Sequence, residues 1–230
     1  MTASRTASRD GAPLSWLGIA RLGLVQASLG AIVVITTSTL NRVMVVELAL
    51  AASLPGLLVG LHYAVQLLRP RWGHGSDVGG RRTPWIVGGM AALAVGAVLA
   101  ALATALAATN LVAGIALSTL AFGIIGVGVG ASGTSLLALL AERVAPARQA
   151  SAAAIVWIMM IAGFIVTAGT AGHFLDPFSM TRLVAVTASV AGVAFVVTTP
   201  YPVDAFRPRL GQSVGTQAIW AWLSLRLPSM

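Results

Sequence analysis

The stretch Gly73-His74-Gly75-Ser76-Asp77-Val78-Gly79-Gly80-Arg81-Arg82 separates two long apolar runs, and its reading decides how the chain is laid out. Its glycines allow the tight backbone that two apposed helix ends require. Asp77 can accept hydrogen bonds from exposed amides at a neighbouring helix N-terminus. Arg81 and Arg82 can pair with it or with lipid phosphate. A charged, glycine-rich turn of this kind belongs at a membrane face.

The composition around the turn agrees. The chain is 57% apolar and 9% charged, with a mean hydropathy of +0.91, whereas soluble domains carry roughly a quarter charged residues. The formal charge of +8 raises the question of a nucleic-acid partner. The arginines, however, cluster between apolar spans and form no stripe on a soluble domain, so no nucleic acid is expected. With no cysteine, disulfides, zinc-thiolate sites and thiol nucleophiles are excluded. The polar stretch Met1 to Pro13 lacks a small-residue cleavage site after the first span, so no cleaved signal peptide is expected.

Six segments have the roughly 20 apolar residues that a bilayer crossing needs: Ile19–Leu40, Leu48–Leu68, Trp85–Ala108, Leu111–Leu140, Ala150–Phe174 and Leu183–Thr199. Pro55 interrupts the second, and the fourth is longer than one crossing requires. The expected organisation is a cytoplasmic segment over 1–18, a six-helix all-α membrane domain over 19–199 and a cytoplasmic tail over 200–230. With the N-terminus inside, Arg5, Arg9, Arg69, Arg71, Arg81, Arg82, Arg143, Arg148, Arg207, Arg209 and Arg226 face the cytoplasm, and only Arg42 and Arg182 lie outside. That imbalance predicts cytoplasmic termini. Glycines at helix-contact spacing, Gly126 with Gly130, Gly128 with Ser132, and Gly163, Gly169 and Gly172 on the fifth span, predict close helix packing.

Polar residues within spans are the functional candidates. They are Gln26, Glu47, His62 and Gln66. His62 and Gln66 are four apart and share one helix face. A neutral imidazole there can ligate the magnesium of a chlorophyll-type pigment, hydrogen-bond a substrate, or simply make an interhelical hydrogen bond. Asn41, Arg42 and Glu47 form an outer polar knot in which an Arg42–Glu47 pair is expected to add little. Glu142, Arg143 and Arg148 form a second inner loop, expected as a solvated charge cluster. No catalytic triad, phosphate loop or aspartate-rich pair is present, so no enzyme is expected.

The order Gly73, three residues, Asp77, two residues, Gly80, Arg81-Arg82 resembles the loop between helices 2 and 3 of the major facilitator superfamily, with Val78 and Thr83 where basic residues are usual. Three further stretches narrow this: Thr39 to Leu48 (TLNRVMVVEL), Ser132 to Glu142 (SGTSLLALLAE), and Val156 to Met160 (VWIMM) running on to Leu175-Asp176-Pro177-Phe178-Ser179. Together they resemble the PucC/LhaA, or bacteriochlorophyll delivery, family over Ile19 to Thr199. That resemblance implies a multi-pass bacterial inner-membrane protein that assists assembly of photosynthetic light-harvesting complexes and handles bacteriochlorophyll or antenna polypeptides, with membrane lipid around it. His62 and Gln66 become candidate pigment contacts, and Gly73, Asp77, Gly80, Arg81 and Arg82 the motif loop. The family has about twelve spans in two halves, and this sequence resembles the first, which implies a second six-helix half or a homodimer. The tail from Pro200 reads either as an interfacial segment or as out-of-frame translation, the second being favoured because basic, helix-linking character is missing. The alternatives from other classes are a half-size solute transporter of the superfamily and a purely structural fragment.

Overall fold

The computed structural model describes residues 14–69 and 82–199. The tail and four of the motif-loop residues, Gly73, Asp77, Gly80 and Arg81, lie outside the described residues; Arg82 lies within them. Among the described residues all regular structure is helical. Helix α1 (Trp16–Val34) continues through a π-helical turn (Ile35–Thr39) into α2 (Leu40–Val46); α3 (Ser53–Gln66), α4 (Thr83–Ala107), α5 (Leu111–Arg143), α6 (Gln149–Phe174) and α7 (Met180–Thr198) follow. Side-chain caps start three of them: Ser15 accepts from the Gly18 amide (3.2 Å), Asn110 from Ala113 (3.0 Å) and Ser179 from Arg182 (3.1 Å).

Among the described residues five helices are long and apolar enough to cross a bilayer: Trp16–Val46, Thr83–Ala107, Leu111–Arg143, Pro146–Phe174 and Met180–Thr198. The chain is a multi-pass membrane protein. The expected second span differs. Its helix has 14 residues, about 21 Å at the α-helical rise, and it starts at Ser53 instead of Leu48. Pro55 does not interrupt this helix. It sits in the first turn, where a missing N–H leaves no hydrogen bond unmade. The residues gained by the first span explain the rest. The chain stays helical through Val46 and turns at Ala49, whose φ is 51°. Arg42 therefore sits on a helix and Glu47 is an exposed helix end, with no Arg42–Glu47 ion pair among the described residues.

Two threonine hydroxyls of the π-helical turn bond back to the preceding helical turn. The Thr36 hydroxyl donates to the Ile32 carbonyl (2.9 Å) and that of Thr37 to Val33 (2.7 Å). These side chains compete for carbonyls that the backbone ladder would otherwise use. Helix α5, with 33 residues, is about 50 Å long. It exceeds the roughly 30 Å hydrocarbon core, as its sequence predicts.

Helix α4 packs between α5 and α7, α1 packs against α6 and α7, and α3 packs on α5. Exchanging α1, α3 and α4 with α5, α6 and α7, in that order, maps this set of main contacts onto itself. Glycines set the closest seams. A Cβ at Gly128 would lie 2.5 Å from the Leu93 amide nitrogen, and one at Gly89 2.5 Å from that of Ser132. A Cβ at Gly163 would meet the Ala27 carbonyl oxygen at 2.5 Å, and one at Gly126 that of His62 at 2.8 Å. These are backbone-to-backbone approaches, the contact lipid favours between helices. Gly169 and Gly172 differ from expectation: nothing lies within 4 Å of a Cβ at either.

One end of the bundle is tied by charge. Arg82 forms a fork with Glu142, Nε to Oε2 at 2.9 Å and a terminal nitrogen to Oε1 at 2.5 Å. The Leu14 amide donates to the Arg143 carbonyl (2.9 Å). Arg148 donates to the Leu14 carbonyl (3.1 Å) and stacks over Trp16, 5.3 Å from its ring centre. The loop after α5 is thus a clamp on the starts of α1 and α4. The expected solvated cluster is corrected: Glu142 is half exposed, yet it reaches the largely covered Arg82 across 60 residues of chain. Its arrangement is bidentate, the stronger geometry for such a pair.

Two outcomes follow. Gly128→Ala should destabilise the detergent-solubilised protein by about 1–3 kcal/mol through overpacking, whereas Gly123→Ala, with open space at its Cβ, should be neutral or gain up to about 1 kcal/mol. Equal melting temperatures for the two variants would contradict the seam. Arg82→Glu and Glu142→Arg should each lower the melting temperature by about 2–4 °C, the equivalent of roughly 1 kcal/mol. The double exchange should recover most of that loss; a double variant no better than either single one would remove the pairing.

Candidate functional site

His62 and Gln66 lie one turn apart on α3, both buried, as their spacing predicts. The Gln66 and His62 Nε2 atoms are 2.7 Å apart, and Arg69 donates to Gln66 Oε1. Arginine can only donate, so the oxygen of the Gln66 amide faces Arg69 and its nitrogen faces the imidazole. His62 Nε2 is therefore the acceptor, and the ring proton sits on Nδ1. That Nδ1 is buried with no hydrogen-bond partner among the described residues. The hydrogen bond expected between helices is thus found within one helix. It also occupies the Nε2 lone pair, so a metal could take that atom only after Gln66 swings away.

These residues line a groove of about 670 Å³ between α1, α3, α5 and α6, a volume within the range of small-molecule sites. Gln26 enters it from α1, Leu137 from α5, and Trp157, Met160 and Phe164 from α6. Tyr63 packs edge-on to His62 with ring centres 4.8 Å apart. Gln26 is 4% exposed. Its Nε2 donates to Met160 Sδ (3.3 Å), a weak acceptor, and its Oε1 has no partner among the described residues. The walls are aromatic and aliphatic, with a spare donor on His62 and a spare acceptor on Gln26. A planar, largely apolar molecule with one or two polar groups on its rim fits that chemistry.

The glycine seams set the geometry. Gly126 brings α3 onto α5 beside His62, and Gly163 brings α6 onto α1 at Ala27, next to Gln26. Of the residues singled out by sequence, the structure gathers His62, Gln66 and Gln26 in one groove. Glu47 stands apart at the end of α2, and Arg82 belongs to the charge clamp. His173 ends α6 beside Phe174, away from the groove. Sequence reasoning missed Arg69, counted there only as an orientation signal, and the aromatic wall of Tyr63, Trp157 and Phe164. Its available signal was the i, i+3 spacing of Gln66 and Arg69.

Comparison with known proteins adds the lineage. The family described as PUCC protein matches residues 39–222. A Rhodobacter capsulatus protein named Bacteriochlorophyll synthase 44.5 kDa chain is 53% identical over 220 residues, covering 90% of this chain and 51% of that relative. Protein PucC of Rhodovulum sulfidophilum is 30% identical, covering 86% of this chain and 46% of its own length. Protein PucC of Cereibacter sphaeroides is 31% identical, with 82% and 43% covered. The chain spans about half the length of the curated relatives it matches. On the extent of the family match, across most of its residues, this chain belongs to the PUCC protein family.

Proposed function

We propose that this protein assists the assembly of photosynthetic light-harvesting complexes in a bacterial inner membrane by holding bacteriochlorophyll in the groove between α1, α3, α5 and α6. The observation that carries this reading is the pair of partnerless buried atoms, His62 Nδ1 and Gln26 Oε1, on two residues that line an aromatic, apolar groove. Buried polar groups are normally satisfied, and each exception calls for an explanation. A pigment with carbonyl groups on its rim would accept from the His62 N–H. His62 Nε2 offers a second mode, ligation of the pigment magnesium once Gln66 rotates. A relative that carries bacteriochlorophyll in its name supports the choice of cargo. The lining favours such a pigment over the polar solute of a transporter. The protein's role is to bind and hand over, with no bond made or broken.

The architecture we propose is one six-crossing half of a major facilitator fold with both termini in the cytoplasm. Parity supports it. The starts of α1 and α4 and the end of α5 meet at the charge clamp, on one face. The chain leaves that face through α1 and α2, so it must return before α4, and α3 is the described helix available to do so. The exchange symmetry of the helix contacts supports the inverted three-helix repeats of such a half. A second half, from a longer chain or from a second copy, would then cover the groove, and antenna polypeptides would receive the pigment.

Purification from a phototroph tests the cargo. The wild-type chain should carry bacteriochlorophyll through detergent extraction. His62→Leu should retain membrane insertion, since leucine is more favourable in the bilayer, and lose pigment about tenfold, the equivalent of one good hydrogen bond or ligand contact. Unchanged pigment content in His62→Leu would contradict the proposal.

A further inference from the structure

Two side chains of the groove wall carry an atom able to ligate the magnesium of a tetrapyrrole, the His62 imidazole on α3 and the Gln26 amide on α1, and they are held very differently. His62 Nε2 is 2.7 Å from the Gln66 amide nitrogen, and Arg69 holds the oxygen of that same amide. Freeing the Nε2 lone pair breaks into a chain of two hydrogen bonds, one of them to a charged group, and leaves buried atoms unpaired. Gln26 is tethered through its Nε2 to Met160 Sδ (3.3 Å), and a thioether is a weak acceptor. Its Oε1, with two lone pairs, has no partner among the described residues. The backbone beneath it is fixed on both sides: a Cβ at Gly23 would run into Met159, and one at Gly30 would lie 2.9 Å from Met160 and from Phe164. A rigid base with a lightly tethered, unbranched side chain is able to swing its oxygen into the groove.

We infer that Gln26 Oε1 ligates the magnesium of the bound pigment, while His62 keeps its bond to Gln66 and meets the pigment through its Nδ1 proton. This rests on the pigment reading above and names the metal contact within it. The chemistry selects the oxygen: magnesium is a hard cation, suited by carbonyl, carboxylate and water oxygens. A pigment entering an apolar groove leaves behind the solvent on its metal, and a buried cation needs a ligand in that solvent's place. The assignment also gives each partnerless atom a partner. Gln26 and His62 stand on the two helix pairs that flank the groove, α1 with α6 and α3 with α5. A macrocycle seated between Trp157 and Tyr63 meets the first at its centre and the second at its edge, where a projecting carbonyl reaches a recessed donor. Tyr63 and Thr134 bring hydroxyl oxygens to the same wall, and the experiment separates them from Gln26.

The probes are bacteriochlorophyll and bacteriopheophytin, its magnesium-free counterpart, titrated into the full chain in a neutral detergent with quenching of tryptophan fluorescence as readout. The wild-type protein should bind the magnesium form about tenfold more tightly. Gln26→Leu should bind both at the wild-type affinity for the metal-free form, which also shows that it is folded. Gln26→His, with a nitrogen ligand in its place, should retain part of the preference. His62→Leu should weaken both probes alike and keep their ratio. Equal wild-type affinity for the two would overturn the magnesium contact and leave the groove as a pigment site. A preference that survives Gln26→Leu would assign the metal to a hydroxyl and overturn it too, and one lost in His62→Leu would assign it to the imidazole with the same consequence. No binding of either probe would overturn this inference and the pigment reading together.

Discussion

Inside hydrocarbon no solvent satisfies a polar atom, and that constraint organises this protein. Several intramembrane hydroxyls obey it locally. Thr36, Thr104 and Thr198 each donate to a carbonyl four residues back on their own helix, at 2.9, 2.8 and 2.8 Å. At the clamped face the exposed helix ends and arginines satisfy one another through Leu14, Glu142 and Arg148. Buried atoms without a partner are therefore conspicuous. Ser132, Ser135 and Thr187 are fully buried on α5 and α7, and Ser132 lies against α4 where a Cβ on Gly89 would touch it. Gln26 and His62 differ in that they are lining residues of the groove.

That volume is a consequence of packing. Where glycine faces backbone, two helices close to contact, as α4 does on α5 at Gly128. Where bulky or amide side chains stand between helices, they hold a gap. The groove sits where α1 and α6 on one side meet α3 and α5 on the other, each pair drawn together by its own glycine seam. Contacts between α5 and α6 themselves are sparse. The same small residues that bring helices together thus define the space between the two pairs.

Much of this was legible in sequence, and the limits are physical. Hydropathy located the long helices, because bilayer thickness imposes a length that composition reveals. It overextended the second segment, since apolar residues from Leu48 to Ala52 satisfy a hydropathy window whether or not they are helical. The π-helical turn at Ile35–Thr39 has no signature in hydropathy, which sees only a continuous apolar helix there. His62 and Gln66 were readable as neighbours because helical periodicity is local. Their bond to each other, with Arg69 holding the far side of the amide, fixes a tautomer that spacing alone leaves open. Gln26, Trp157 and Phe164 come from distant segments, and the Arg82–Glu142 fork joins two loops that looked like separate topology signals. Such long-range partners are invisible without the packing.

The central claim is that the groove beside His62, and not a second cleft among the described helices, holds the pigment. That second cleft, about 540 Å³ between α1, α6 and α7, is lined by alanine, valine, Leu24, Phe174 and a few hydroxyls. The chain has no cysteine, so one can be introduced in each place and read without background: Thr134→Cys in the first groove and Ser189→Cys in the second. Alkylation by a membrane-permeant maleimide, followed with and without added bacteriochlorophyll, is the most direct measurement. The account predicts that pigment slows labelling at position 134 and leaves position 189 unchanged. Protection at position 189 alone, or at neither position, would contradict it.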